Sequence, residues 1–509
     1  MSSNAPHVKS LGHAVGHGLI WMLLATIVAK GASFVAQIVL GILLLKEDFG
    51  VYALAVSVTV VVQVIRDGGA RKVLVQKGVR RFDKLICPVF WMALCFNVVS
   101  ALIMIGIAPL AARFYDQPDL VPMLMVIALG TLISTHGTMY RAKLAAELRY
   151  SKLARFRSTV VILRNLSMIV FALLGFGAMS FAWPFVVISV AEWALGLWMC
   201  GRLNLLRTPR LRLWPKLFGV SVWMLVSTLA LAVVNQGPYA IVGYYVPAAV
   251  LGVYYFASQL VLQINLILAV NLQDVLLPAL SSLNASRERQ NNAVVRTVRM
   301  LAFSSSGAAF GVATIAPEVE HLFWGSKWEE AIPAIQWMCV FIPFRMLQSV
   351  IEPALLAQSN YKLNAWLLWI QAAIIAAFSL AGGLWLSEPW EFSASVGAGY
   401  AVSIVVAGVI GCEKMNISWW KCVGGFLPSW IVGIGCLLVV LWVKSLVPTP
   451  DEQTRVSAAV LMVLGGGAFA LLFALVSRFT LRNLLSESLG VLPGRVRRVA
   501  RRAVLLPAS

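Results

Sequence analysis

Residues 19–45 read LIWMLLATIVAKGASFVAQIVLGILLL, an apolar run that contains one charged residue, Lys30. About 20 helical residues cross the hydrocarbon core of a bilayer, so this run is long enough to span it. It is also too long for the core of a signal peptide, and no small-residue cleavage site follows it. The run therefore predicts a first transmembrane helix that is retained in the protein.

Similar apolar runs recur along all 509 residues, of which 60% are hydrophobic and 12% are charged. Soluble proteins average about 45–50% apolar and about 25% charged residues. This composition excludes a soluble globular protein, a disordered chain and a secreted disulfide scaffold. We expect an all-α integral membrane protein with about fourteen spans. Their approximate limits are 19–45, 51–66, 85–107, 120–140, 158–176, 180–201, 217–243, 248–275, 300–316, 331–357, 363–386, 392–411, 423–443 and 456–477.

The charged residues predict the orientation of these spans. If the N-terminus is cytoplasmic, most of the 41 Lys and Arg residues lie in cytoplasmic segments, and the acidic residues show the opposite bias. Because basic loops stay inside, we expect both termini to be cytoplasmic. The net charge of +20 then reflects topology and does not indicate nucleic-acid binding. The basic tail 478–509 is expected to lie on the inner leaflet as an amphipathic helix, with a solvated tail as the alternative.

A short internal repeat suggests two related halves. DFGVYALA (48–55) aligns with VLGVYYFA (250–257) at an offset of 202 residues, with Gly50 on Gly252. Parallel repeats of this kind are typical of secondary transporters, whereas chance similarity between apolar segments is the alternative. We therefore expect two pseudo-symmetric six-helix lobes, two added helices and a tail, over residues 1–208, 209–412, 413–477 and 478–509.

Polar side chains inside the spans indicate a water-accessible cavity. A charge in the hydrocarbon region costs about 2.5–3.5 kcal/mol on insertion scales, so Lys30 must line a cavity, form a pair or reach the interface. At 100° per residue, Lys30 shares a polar stripe with Ser33 and Gln37. The corresponding helices of the two predicted halves both carry polar faces. The candidate lining residues are Lys30, Gln37, Gln63, Arg66, Arg71, Asn235, Gln259, Gln263 and Arg345.

Three acidic residues are candidates for coupling transport to a proton or cation gradient, namely Glu192, Asp274 and Glu352. Each could equally be a structural carboxylate that pairs within the protein. In the tenth span, Arg345, Gln348 and Glu352 could form a patch for an anionic substrate or an internal ion pair. The sequence Gln236-Gly237-Pro238 indicates a hinge in the seventh span, with an ordinary proline kink as the alternative.

No motif in the chain indicates catalysis or a bound cofactor. His13 and His17 are spaced i, i+4 but lack a third ligand, and the seven cysteines form no CxxC pair. Nucleophile-elbow, Walker A and HExxH patterns are absent from the sequence. We therefore expect a transporter without a metal or cofactor, and not an enzyme.

Three segments carry a resemblance to a known family. They are LLKEDFGVYALAVSV (44–58) with the loop RDGGARKVLVQKG (66–78), RAKLAAELRYSKLA (141–154) as a loop after the fourth span, and YAIVGYYVPAAVLGVYYFASQLV (239–261) running on to VLLPALSSL (275–283). In this order they resemble the Wzx-type polysaccharide-biosynthesis flippases. The resemblance implies a fourteen-helix fold shared with lipid II flippases and with multidrug and toxic compound extrusion (MATE) proteins.

The resemblance also implies a substrate, an undecaprenyl-diphosphate-linked oligosaccharide that moves from the cytoplasmic to the periplasmic leaflet. Membrane lipids are expected partners, and a glycan polymerase and a chain-length regulator are candidates. The chain departs from the family at Arg66-Asp67-Gly68-Gly69, where relatives often have Ser-Asp-Leu-Gly. It also has Asn235, Gln236 and Pro238 where an acidic residue is common. A cation-coupled drug or metabolite antiporter of the same fold is the first alternative, and a membrane glycan polymerase or ligase is the second.

Overall fold

The computed structural model describes residues 28–67, 79–147, 149–203, 205, 222–283, 286–446 and 455–480. Within these ranges all regular secondary structure is helical and no strand occurs. In lipid each backbone amide and carbonyl must be satisfied inside its own segment, and a helix achieves this. The all-α prediction is therefore confirmed. His13, His17, Arg71 and most of the basic tail lie outside the described residues.

Seven α-helices are described in the first part of the chain, within residues 28–67, 79–147, 149–203 and 222–245. A short 3₁₀ segment, Gly177–Phe181, precedes the sixth. The helices are α1 (Val28–Leu43), α2 (Lys46–Asp67), α3 (Val79–Phe114), α4 (Leu120–Ala146), α5 (Tyr150–Leu173), α6 (Trp183–Cys200) and α7 (Val222–Tyr245).

The second part begins with α8, which passes through a π-helical segment, Leu266–Val270, into α9. Single π-turns inside helices are uncommon and interrupt the regular hydrogen-bond ladder. The helices are α8 (Ala248–Asn265), α9 (Asn271–Ser282), α10 (Arg287–Trp324), α11 (Ala331–Met346), α12 (Gln348–Ala357), α13 (Tyr361–Trp385), α14 (Pro389–Lys414), α15 (Trp419–Leu446) and α16 (Arg455–Thr480).

Twelve of the described helical stretches are long and apolar enough to cross a membrane. Two more helices, α1 and α2, occupy the positions of the first two predicted spans. This architecture confirms a multi-pass membrane protein, while the total of fourteen spans stays a prediction.

The chain divides into two compact units, residues 1–244 and 245–509. In the first unit the end of α7 packs against the end of α3. The hydroxyl of Tyr115 donates to the carbonyl of Ala240 at 3.2 Å, and the rings of Phe114 and Tyr244 stack at 4.6 Å. The predicted lobes 1–208 and 209–412 stay predictions.

The order of the helices repeats between the two parts. Helix α2 begins at Lys46 and α8 begins at Ala248, so their starts are 202 residues apart, which is the offset of the sequence repeat. Each part also contains one very long helix further along, α3 with 36 residues and α10 with 38 residues, and α9 lies between α8 and α10. The segment DFGVYALA and its counterpart therefore occupy the same position in two similar helices.

Local contacts explain why α2 begins where it does. The carboxylate of Asp48 accepts a hydrogen bond from the backbone amide of Leu45 at 2.8 Å. Acidic residues near a helix start also interact favourably with the positive end of the helix dipole. Gly177 has φ +52°, and a Cβ there would lie 3.0 Å from Asp48 Oδ1. Glycine is therefore required at this approach. The ring of Tyr52 stacks on Phe181 with the centroids 4.3 Å apart.

Two local predictions need correction. Helix α7 continues through Pro238 to Tyr245, so the segment 236–238 forms no break. Proline has no amide hydrogen, so the carbonyl one turn earlier lacks its usual donor. In membrane helices neighbouring helices, side chains or a local change in helix geometry satisfy that carbonyl, so proline is tolerated. The segment 141–154 is mostly helical and is not a loop, because α4 continues to Ala146 and α5 begins at Tyr150.

Candidate substrate-binding residues

The polar stripe of α1 lies partly against α5. Lys30 is half-buried in α1. One turn later, Ser33 donates to the carbonyl of Ala29 at 3.0 Å and accepts a hydrogen bond from Asn165 Nδ2 at 3.1 Å. A side chain that faces only lipid cannot form such a hydrogen bond to another helix. The stripe predicted from the sequence is therefore in contact with protein at Ser33.

Gln37 lies on the same stripe and is half-buried. Its Nε2 is buried and contacts no hydrogen-bond acceptor within the described part of the chain. A buried donor without an acceptor costs about 1–3 kcal/mol unless water or a ligand supplies one. Gln37 is therefore well suited to donate to a bound polar molecule.

The other amide candidates differ in their surroundings. Asn235 Nδ2 donates to the carbonyl of Leu231 in its own helix at 2.8 Å. Gln259 and Gln263 are half-buried and lie one turn apart on α8. The side chains of Gln63, Arg66 and Asp274 lie outside the described part of the structure.

Arg345 lies on an aromatic ring inside the second unit. Its guanidinium carbon is 4.5 Å from the centroid of Tyr400, a buried residue of α14. Such cation–π contacts contribute about 0.5–2 kcal/mol, and more when they are desolvated. Arg345 therefore packs against protein. This contact argues against a side chain that extends to the membrane–water interface.

Two amide contacts follow Arg345 along α12. Gln348 accepts a hydrogen bond from Gln371 Nε2 at 2.9 Å, and Glu352 accepts one from Gln273 Nε2 at 3.3 Å. Because residues i and i+4 share a helix face, α12 carries both contacts on one side. The tenth predicted span thus contributes a row of polar groups that joins α9, α12 and α13.

Glu192 forms an ion pair. Its Oε1 lies 3.2 Å from Arg141 Nη1, and the two side chains are 6% and 27% exposed. Arg141 also donates to Thr138 Oγ1 at 3.1 Å. Gly137 provides the space for this contact, since a Cβ there would lie 2.5 Å from both Glu192 Cβ and Oε2. Of the two interpretations of Glu192, this geometry favours the structural carboxylate.

Sequence reasoning missed several of these partners. The sequence predicts Arg141 in the loop 141–154, and it places Gln371 and Tyr400 within the apolar spans 363–386 and 392–411. A buried contact between Asn97 and Thr135, at 2.8 Å, was also missed. Isolated polar residues within apolar runs were the available signal, but sequence spacing does not pair residues on different helices.

The candidates therefore divide between the two compact units. Lys30, Gln37, Glu192 and Asn235 belong to the first unit. Gln259, Gln263, Arg345 and Glu352 belong to the second. Each unit thus contributes four buried or half-buried polar side chains to the candidate set.

Known proteins resemble this chain in both sequence and fold. A family model described as "Polysaccharide biosynthesis protein" matches residues 39–333, more than half of the chain. The chain belongs to this family of polysaccharide biosynthesis proteins. The lipopolysaccharide biosynthesis protein WzxC of Escherichia coli (strain K12) is 20% identical, over 83% of this chain and 87% of WzxC. The teichuronic acid biosynthesis protein TuaB of Bacillus subtilis (strain 168) is 22% identical, over 93% and 97% respectively.

Solved structures of low sequence identity share the fold of this chain. The lipid II flippase MurJ in an inward closed conformation has a TM-score of 0.72 at 12% identity, covering 91% of this chain and 100% of MurJ. An inward-facing MATE-family multidrug transporter has a TM-score of 0.62 at 14% identity, covering 78% and 98%. The expectation of a MATE-like fold is confirmed.

Proposed function

We propose that this chain moves an undecaprenyl-diphosphate-linked oligosaccharide, an O-antigen or exopolysaccharide repeat unit, from the cytoplasmic to the periplasmic leaflet by alternating access. The family match over residues 39–333 is the observation that carries the proposal. Relatives named for polysaccharide and lipopolysaccharide biosynthesis, together with the fold of a lipid II flippase, support it. We place the protein in the bacterial inner membrane with both termini cytoplasmic.

The physical problem is to carry two phosphates and many hydroxyls through hydrocarbon. Polar side chains in a cavity replace the water that the headgroup loses, and the lipid tail stays in the membrane. Lys30 and Arg345, with Arg66 and Arg71 at the inner mouth, would bind the diphosphate. The amides of Gln37, Gln63, Asn235, Gln259 and Gln263 would donate and accept hydrogen bonds with sugar hydroxyls.

The buried Nε2 of Gln37 supports this assignment, because it needs an acceptor that the described residues do not supply. The half-buried Lys30 lies two turns before it on the same stripe. One helix face would thus present a cation to the diphosphate and an amide to the sugar. Asp274 and Glu352 remain candidates for ion coupling, and the pairing of Glu192 with Arg141 favours a structural role for that residue.

The test is export of the surface polysaccharide by the native host carrying Lys30 variants in place of the wild-type gene. Lys30→Ala and Lys30→Glu should insert normally but reduce export by about tenfold or more, since a charge-assisted hydrogen bond contributes about 1.5–3 kcal/mol. Lipid-linked repeat units should accumulate in the inner leaflet. Surface polysaccharide and extracted lipid-linked oligosaccharide are both measured.

Arg164→Ala is the matched control, because Arg164 is an exposed cation of α5 that lies 5.5 Å from the centroid of Phe185. Its export should match the wild type. Full export by both Lys30 variants would contradict the assignment of Lys30 to the diphosphate. Normal surface polysaccharide after deletion of the whole gene, with increased sensitivity to cationic drugs, would favour the antiporter alternative.

A further inference from the structure

Two cysteine thiols lie in contact beside the turn between α14 and α15. Cys412 is near the end of α14, Cys422 is in the first turn of α15, and both residues are buried. Their sulfur atoms are 3.6 Å apart, so one thiol donates a hydrogen bond to the other. Neither residue belongs to the set assigned above to the oligosaccharide. Two thiols in contact are the starting point for a disulfide.

The turn that brings the two thiols together is built by local hydrogen bonds. The amide of Ile417 donates to the carbonyl of Cys412 at 2.8 Å, and the amide of Asn416 donates to the carbonyl of Glu413 at 3.1 Å. These two bonds form a Schellman motif, in which the residue that follows the helix is left-handed. Asn416 has φ +54°, a conformation that asparagine adopts more readily than most residues. The motif ends α14 and reverses the direction of the chain.

Contacts outside the turn hold the two helices at this spacing. The ring of Trp419 in α15 lies over Gly408, one turn before Cys412, where a Cβ would lie 2.8 Å from Trp419 Cζ3. Asn291 Nδ2 of α10 donates to the carbonyl of Met415 at 3.0 Å. The turn is therefore fixed by its own backbone and by α10. The thiols are held in contact, so a reaction between them does not require flexible segments to meet.

The sulfur atoms have space to form a bond, and a small oxidant has space to reach them. Both thiols line a partly open apolar cavity of about 270 Å³. A water molecule occupies about 30 Å³ in the liquid, so a peroxide molecule fits this cavity. A disulfide bond is about 2.05 Å long, so the sulfur atoms at 3.6 Å must approach by about 1.5 Å. Rotation of the two side chains about their Cα–Cβ bonds supplies this movement, and the cavity leaves room for it.

We propose that Cys412 and Cys422 form a reversible disulfide when the protein is exposed to a peroxide. One thiol gives up its proton and attacks a peroxide oxygen, so the O–O bond breaks and hydroxide leaves, taking that proton to form water. The second thiol attacks the sulfur of the resulting sulfenic acid, and the hydroxyl leaves with the second proton as water. Two thiols are thereby oxidised to one disulfide, and one peroxide is reduced to two waters.

The pair is expected to stay reduced without an oxidant. In the predicted topology the turn is cytoplasmic, and cytosolic thiols are kept reduced by glutathione and thioredoxin. Exchange with a cytosolic dithiol returns an oxidised pair to its thiols. The bond would join α14, whose Gly397 packs against Phe341 of α11, to α15, whose Gly433 packs against Phe310 of α10. Oxidation would therefore restrict movement between α14 and α15.

The test uses the full-length protein in membranes from cells grown without an added oxidant. The membranes are treated with hydrogen peroxide, denatured and alkylated with N-ethylmaleimide, and the peptides are analysed by mass spectrometry. All seven cysteines should be alkylated in untreated protein. Peroxide should first remove two alkylated thiols and produce a peptide that links Cys412 to Cys422. A dithiol reductant should restore both thiols.

Serine variants test the pairing. Cys412→Ser and Cys422→Ser each leave one thiol without its partner, so the remaining thiol should be oxidised at least about tenfold more slowly. Cys436→Ser removes another buried thiol of α15, and as the matched control it should form the linked peptide at the wild-type rate. Oxidised wild-type protein should also unfold at a higher denaturant concentration than reduced protein, because a disulfide restricts the unfolded chain. Neither Cys412→Ser nor Cys422→Ser should show this difference.

Three results would overturn the proposal. The first is that Cys412 and Cys422 stay unlinked under conditions that oxidise the exposed Cys95. The second is that the remaining thiol of each single variant is oxidised as fast as the wild-type pair, since contact between the two would then be irrelevant. The third is a complete link in untreated membranes, because the bond would then be a permanent structural disulfide.

Discussion

Replacing Arg141 with methionine removes the cation that pairs with the buried carboxylate of Glu192. Their charged atoms are 3.2 Å apart, and the Glu192 side chain is only 6% exposed. Breaking a buried ion pair by removing one partner costs about 3–5 kcal/mol, because the remaining charge is uncompensated. Since the Arg141 side chain is 27% exposed, water compensates part of the loss. We therefore expect the free energy of unfolding of Arg141→Met to fall by about 3 kcal/mol, the lower end of that range.

The assay is denaturant-induced unfolding of the full chain in detergent micelles, analysed as a double-mutant cycle. A variant with both Arg141→Met and Glu192→Met has no buried charge, so it should regain at least about 2 kcal/mol relative to Arg141→Met alone. Arg155→Met, which removes an exposed arginine of α5, is the control and should leave stability unchanged. If the effects of Arg141→Met and Glu192→Met simply add in the double variant, the two residues do not interact and the reasoning is refuted.

Two further predictions concern packing around α15. A Cβ on Gly433 would lie 2.4 Å from Phe310 Cδ2, so Gly433→Ala should destabilise the protein by about 1–3 kcal/mol. A Cβ on Gly435 would meet no atom within 4 Å, so Gly435→Ala should be neutral or slightly stabilising. Equal unfolding midpoints for the two variants would contradict this. Lys444 Nζ lies 2.7 Å from Glu318 Oε1, so Lys444→Met should cost about 2–3 kcal/mol, and adding Glu318→Gln should recover part of that loss in the same unfolding assay. No recovery would mean that the uncompensated charge of Glu318 does not cause the loss.

Hydropathy predicted the helices of this protein because lipid selects long apolar segments almost independently of tertiary contacts. The span predicted at 363–386 is close to the observed Tyr361–Trp385. The span predicted at 85–107 was too short, since α3 runs from Val79 to Phe114. Hydropathy identifies only the apolar part of a helix. The ends of a helix that extend beyond the hydrocarbon contain charged residues, so hydropathy does not detect them.

The site was less predictable because side-chain pairing depends on contacts between helices. Glu192 and Glu352 stand out in the sequence as acids within apolar spans, but their partners, Arg141 and Gln273, lie on other helices. Nothing in the periodicity of one helix specifies these contacts. Gly137 shows the same limit, since an apparently neutral glycine is the residue that makes room for Glu192.

The unequal spacing of the helix starts affects how positions in the two parts of the chain are matched by sequence number. The starts of α2 and α8 are 202 residues apart, but those of α3 and α10, at Val79 and Arg287, are 208 apart. An error of six residues turns a helical position by about 240°, which moves a side chain to a different face. An engineer who wishes to place paired fluorophores or cross-links at equivalent depths must therefore count from the beginning of each helix. A single constant added to every residue number would compare positions that face opposite surroundings.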